Sequence, residues 1–280
     1  MALDQVDVDN YEAQQEKEMS FLDHLEELRW HLVRSVVAIL VVATVVFLAK
    51  DFVFNTVIFG PKSENFFFYQ GICSFSDLIG MGESLCMKPP EFAIIAVEFG
   101  ERFIVHLKVS AILGFVVAFP YIFYQFWSFI APGLYEEERQ AARGVVFICS
   151  ALFMLGVLFG YFIISPFAVS FLAGYEIQDV ASTTTLSSFV GYMTMFTLPT
   201  GMVFELPVVV YFLAKVGLIT ADFMRTYRRH AFIVILILAA LITPPDVVTQ
   251  FLIGFPLYIL YEISIIIAGR VEKKNELAMR

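Results

Sequence analysis

Between His31 and Ala268 polar residues are sparse, and they divide the chain into six apolar blocks. These run from about His31 to Ala49, Val105 to Ala131, Ala142 to Ile164, Phe189 to Leu218, Ala231 to Ile242 and Val247 to Ala268. A helix that crosses a bilayer takes roughly 20 apolar residues. The second and fourth blocks exceed that, so tilt or kinks at Pro120, Pro199 and Pro207 are expected. The fifth is too short for a full crossing. Either the bilayer thins there or the fifth and sixth form a re-entrant hairpin. Barrel strands alternate over about ten residues, whereas these runs are continuous. The pattern therefore predicts an all-α, polytopic membrane protein with six transmembrane helices.

The segment before the first block has a different period. Ser20 stands three residues before Asp23, which suits a helix-starting capping box. Phe21, Leu22, Leu25, Leu28 and Leu32 follow on one side, with Asp23, Glu26, Glu27, Trp30 and Arg34 toward another. This is an N-terminal amphipathic interfacial helix that turns into the first span. A membrane anchor explains the leucines. It does not explain a cluster of acids beside an anionic leaflet. Residues 1–18 read as a disordered acidic tail, 19–270 as one membrane domain and 271–280 as a cytoplasmic tail.

Composition sharpens the membrane reading. Apolar residues make up 59% of the chain, against about 45–50% in soluble domains. Residues 1–30 hold nine acids and two bases, so seven of the nine excess negative charges lie there. Met1 to Ser20 has no basic or apolar region of a signal peptide, and its acids disfavour an organelle transit peptide. No polybasic nucleic-acid patch occurs. Thirteen Lys and Arg fall at one set of span ends and five at the other. By the positive-inside rule both termini are cytoplasmic.

Chemistry-bearing residues are few. Glu205 lies in the fourth apolar run, where an unpaired carboxylate costs ~2.5–3.5 kcal/mol on insertion scales. Neighbouring Pro207 frees a backbone carbonyl one turn earlier, near Val203, so the site is already polar, and a partly wet groove is expected around the carboxyl. Glu136, Glu137 and Glu138 crowd the loop after the second span. They suit either a solvated helix start or a carboxylate site for a guanidinium-bearing peptide, with Glu26 and Glu27 as a second acidic cluster. The four His form no metal or hydrolase pattern, and no P-loop or nucleophile elbow occurs. Neither metal nor cofactor is expected, and no enzyme activity. Pro244, Pro245 and Asp246 separate the last two blocks, with Asp246 placed to cap the last helix. Glu262 can snorkel or pair with an arginine. Cys73 and Cys86 share the first external loop, where an oxidising compartment permits a disulfide. Two unpaired thiols are the alternative. Cys149 reads as inert core.

Six motifs in order resemble the TatC family, the polytopic core of the twin-arginine protein translocase. They are His-Leu-Glu-Glu-Leu-Arg at His24 to Arg29, the stretch Tyr124 to Tyr135, Glu138-Arg139, Phe204-Glu-Leu-Pro207, Thr243 to Gln250, and Pro256 to Glu262. The resemblance implies a concave, glove-like bundle of six spans in the bacterial inner membrane. It implies a receptor for Arg-Arg signal peptides of folded proteins, driven by the proton-motive force. Glu27 and Glu138 are then the expected twin-arginine contacts, with Arg29, Phe129, Tyr135 and Arg139 in the same recognition patch. Glu205 and Gln125 become docking positions for single-span TatA and TatB subunits, and further copies of the chain are expected partners. Pro61 falls near the family's first-loop proline, a structural position like Pro207. The long first loop with its two cysteines, and the acidic extension before Met19, lie outside the resemblance. A proton-coupled secondary transporter that titrates Glu205 is the alternative reading.

Overall fold

The computed structural model describes residues 21–63, 65–80, 86, 89, 92–130, 142–175, 183–243 and 247–278. The acidic tail 1–18, the loop with Tyr135, Glu136 to Glu138 and Arg139, and the turn Pro244, Pro245 and Asp246 lie outside the described residues. Among those described, five helices are long and apolar enough to cross a membrane.

The first is α1, Phe21–Leu48, one helix of 28 residues. The amphipathic segment therefore continues into the first span without a break. No proline or glycine interrupts Phe21 to Leu48, so the i to i−4 ladder is never forced open. A short helical turn, Lys50–Phe52, and a π-helical turn, Val53–Ile58, carry the chain over the bundle end. Pro61 is buried in a 3-10 turn, Gly60–Lys62, and its carbonyl accepts from the Tyr69 hydroxyl at 2.9 Å. Helix α2, Phe67–Leu78, lies in the loop beyond. The second span is α3, Glu101–Ile130, with Pro120 accommodated inside it.

The third span departs from expectation. The sequence places its end before Pro166, yet helix runs on through α4 (Ala142–Phe159), a π-helical turn (Gly160–Ile164) and α5 (Ser165–Gly174). The wider turn lets Pro166 sit in the first turn of α5, where its missing N–H costs nothing. The Ser165 hydroxyl donates to the Gly160 carbonyl at 2.9 Å, which occupies an acceptor inside the turn. The fourth span is divided: α6 (Leu186–Val203) and α7 (Leu206–Lys215) meet at Phe204 and Glu205, with Pro207 in the first turn of α7. After a short helix α8, Ala221–Thr226, comes α9, Arg228–Ile242, of 15 residues. At 1.5 Å per residue α9 spans about 22 Å, less than the roughly 30 Å of hydrocarbon. The last helix, α10, runs from Val247 to Ala278, so the polar C-terminal residues are helical too.

Close approach of α4 and α6 requires small residues. A Cβ on Gly160 would lie 2.5 Å from the Phe196 carbonyl oxygen and 2.8 Å from Thr197 Cα. Both are backbone atoms and cannot rotate away, so this seam excludes any side chain. The largest buried cluster joins α6, α7, α9 and α10 around Phe196, Phe204, Ile253 and Leu257. Arg228 on α9 pairs with Glu262 on α10 at 2.7 Å, which gives Glu262 its arginine.

Opposite the N-terminal end of α1, two loops are stitched together. Strands β1, Ala93–Ile95, and β2, Thr183–Thr185, pair in parallel with Ala93 opposite Thr183. The buried Glu101 carboxylate accepts from Val97 N at 2.7 Å and from Ser187 N at 2.8 Å. One side chain thus ties the first inter-span loop to the start of α6. Cys73 and Cys86 are joined in a disulfide, with Cα atoms 4.6 Å apart, whereas Cys149 is a buried free thiol.

Closing that loop is worth about 3 kcal/mol in the chain-entropy picture. Mass spectrometry of unreduced protein from oxidising cells should show the Cys73–Cys86 crosslink and alkylation of Cys149 only after unfolding. Two external thiols open to alkylation in the folded protein would contradict it.

Candidate functional site

Two separate sites emerge, one at the N-terminal end of α1 and one inside the bundle. At the first, Glu27 lies on the flank of α1 that faces α3. One carboxylate oxygen stands 3.9 Å from His31 Nε2, one turn on. The other oxygen is covered and has no hydrogen-bond partner. His31 Nδ1 meets the Gln125 side-chain oxygen of α3 at 2.6 Å. With that oxygen accepting, Nδ1 donates, and the ring is locked. Phe129, one turn beyond Gln125, sets its ring edge-on to His31 at a centroid distance of 6.2 Å. Glu27, Trp30, His31 and Arg34 line a hollow of about 350 Å³.

Arg29 points elsewhere. It pairs with Glu26 at 3.7 Å, with both side chains 65% exposed, and its guanidinium lies 5.6 Å from the Trp30 ring. An exposed i to i+3 pair of this kind stabilises little, so Arg29 is available to exchange partners. Glu26 is thus paired with Arg29, whereas Glu27 keeps one oxygen without a partner. The structure brings Glu27, Gln125 and Phe129 together around a residue the sequence reading passed over. His31 follows Glu27 at i+4, the spacing that puts two side chains on one helix face, and that was the available signal.

The second site is the break between α6 and α7. Glu205 adopts helical backbone angles there, and its carbonyl accepts from Val208 N and Val209 N at 2.9 and 3.1 Å. Pro207 has no N–H to offer the Val203 carbonyl, which loosens the ladder at this point. The carboxyl folds inward against α4, alongside the Cys149 thiol and the backbone at Phe153. Both of its oxygens are covered, and neither has a well-formed hydrogen bond. Both oxygens are turned toward α4, while the residue as a whole stays half-buried. Gln125 does not share the site: it is 5% exposed and engaged with His31 on the α1–α3 seam. The indole N–H of Trp127 on α3 is a buried donor without a partner, and its ring packs against Phe212 of α7 at 5.2 Å.

Among the described residues no group of three or more His, Cys, Asp or Glu could hold a metal ion. The arrangement offers carboxylates for binding.

Comparison with known proteins agrees with the geometry. The family model for Sec-independent protein translocase protein (TatC) matches residues 23–256. The chain is 36% identical to TatC of Blattabacterium sp. subsp. Periplaneta americana over 263 residues, covering 93% of this chain and 99% of that protein. It is 38% identical to TatC of Helicobacter pylori strain J99 over 256 residues, covering 90% of this chain and 91% of the relative. A crystal structure of the twin-arginine translocase receptor TatC superposes with a TM-score of 0.62 at 31% identity, covering 92% of this chain and all of that one. A second, in DDM, gives a TM-score of 0.66 at 32% identity, covering 88% and 99%. These matches disfavour the secondary-transporter reading and make the chain a transport component rather than an enzyme. With motifs, span order and fold in agreement, the chain belongs to the TatC family of Sec-independent protein translocase proteins, multi-pass membrane components of the twin-arginine translocase.

Proposed function

We propose that the chain is the receptor subunit that captures signal peptides bearing two adjacent arginines, through Glu27 on α1 and Glu138 in the loop after α3. The observation that carries this reading is the Glu27 carboxylate. It keeps one covered, unpartnered oxygen beside a hollow, while its neighbour Glu26 is already paired. A guanidinium fork matches a carboxylate in two parallel hydrogen bonds. His31 and Gln125 hold the ring that backs Glu27, and Phe129 and Tyr135 supply apolar faces for the arginine stems. Arg29 and Arg139 flank the two acids in the same motifs and moderate their negative field when no peptide is bound.

Glu205 serves a second partner. A polar side chain on a single-span subunit of the TatA or TatB type would supply the hydrogen bond that its oxygens lack. That contact requires the carboxyl to turn outward from α4. No nucleotide-binding motif is present in the sequence, so the proton-motive force supplies the energy. The protein resides in the bacterial cytoplasmic membrane with both termini inside, and it assembles with further copies of itself.

Glu27→Gln or Glu138→Gln removes a charge from a hydrogen bond worth about 1.5–3 kcal/mol, so signal-peptide affinity should fall roughly tenfold or more. Membrane insertion should be normal. Unchanged affinity in the double substitution, measured by fluorescence anisotropy, would show that neither acid meets the arginines.

Glu205→Ala should spare insertion and peptide binding while weakening association with the small subunits. A photocrosslinker at position 205 should reach a small subunit in substrate-loaded membranes. Crosslinks confined to α4 of the same chain, in resting and loaded membranes alike, would make this carboxyl structural.

A further inference from the structure

The ends of α1 and α3 remote from Glu27 border an open cavity of about 530 Å³, with charged side chains among a largely apolar lining. Lys50 and Asp51, just past α1, and Arg102, in the first turn of α3, line it with exposed side chains. Neither Lys50 nor Arg102 is in an ion pair among the described residues. His106 also lines the cavity, one turn deeper on α3, and is only 8% exposed. Its ring stacks on Phe47 at a centroid distance of 4.0 Å and meets Phe54 edge-on at 5.6 Å. Its Nε2 is covered and has no hydrogen-bond partner. A buried ring nitrogen left unpaired at the wall of a cation-lined cavity is an unfilled contact.

We infer that this cavity holds the headgroup of an aminophospholipid, its phosphate on Lys50, Arg102 and His106 and its ammonium on Asp51. The charges argue for a zwitterion. Two cations suit a phosphate diester, and the adjacent carboxylate would repel an anionic headgroup that lacked an amine. The level argues for a lipid. The site sits where two apolar spans end, which is where headgroups lie. Around the same span ends Leu48, Phe52, Phe103 and Ile104 are all exposed, with Leu48 at 79%, and they provide apolar surface for acyl chains. The occupied site would brace α1, whose span window is only 6% buried within the chain, against α3.

Native mass spectrometry of the intact chain, titrated with phosphatidylethanolamine or phosphatidylglycerol, tests this. The unmodified protein should retain phosphatidylethanolamine preferentially. Lys50→Gln with Arg102→Gln should lower that retention about tenfold, the loss of charge-assisted hydrogen bonds. Asp51→Asn should abolish the preference for the amine headgroup. All three positions are exposed, so the variants should match the parent in thermal unfolding. Undiminished retention in the double variant, or no preference between the two lipids in the parent, would overturn the inference. Displacement of the lipid by millimolar inorganic phosphate would overturn it as well, by making this a free-anion site.

Discussion

Every backbone polar group within hydrocarbon must be satisfied inside the protein, and the architecture follows from that constraint. It explains why the chain is helical wherever it is apolar. It also explains the position of each irregularity. Pro166 and Pro207 fall in first turns, where no N–H is needed. The π-helical turn at Gly160–Ile164 carries its own hydroxyl-to-carbonyl bond from Ser165. Gly160 lies where α4 and α6 come within backbone contact, and there van der Waals packing replaces the missing hydrophobic drive between lipid-bathed helices. At the bundle end, the Glu101 carboxylate accepts from two loop N–H groups, Val97 and Glu98, and from Ser187 in the first turn of α6, which ties the loop to that helix.

Side chains that break the same rule include the two acids of the proposed function. Both Glu205 oxygens and one Glu27 oxygen are covered without a hydrogen bond. An unsatisfied carboxyl gains most from a partner that brings a donor. Glu27 and Glu205 differ in access. Glu27 adjoins a surface hollow at a helix end, so a soluble peptide can reach it. Glu205 sits at a break in a span and folds against α4, so only a group within the membrane can meet it. In the proposed function, depth assigns the peptide to Glu27 and the partner helix to Glu205.

The fold was largely legible, because long apolar blocks have no alternative in a bilayer. The blocks at Val105 and Val247 match α3 and α10, and the short block at Ala231 anticipated a helix too short to cross. The errors have local causes. Proline was read as a stop at Pro166, but a preceding π-helical turn supplies the space that makes it a first-turn residue. The amphipathic start was read as turning into the first span, and nothing between Phe21 and Leu48 breaks the ladder. Three-residue strands such as Ala93–Ile95 and Thr183–Thr185 carry too little pattern to detect. The site was legible only in part. Glu27 and Glu205 were visible as acids out of place. The bond from His31 to Gln125 joins residues 94 apart, and Glu101 reaches Ser187 across 86 residues. A single sequence holds no signal for such pairings beyond the i+4 spacing of Glu27 and His31.

Guanidinium recognition by paired carboxylates is the center of this account, and its most direct test leaves the protein unaltered. Two signal peptides that differ only in Arg-Arg against Lys-Lys are titrated into the chain in lipid nanodiscs. A lysine ammonium keeps the charge but loses the planar fork. The account predicts that the Arg-Arg peptide binds at least about tenfold tighter, the worth of one charge-assisted hydrogen bond. Equal affinities would contradict it, because a site that reads charge alone has no use for the geometry around Glu27.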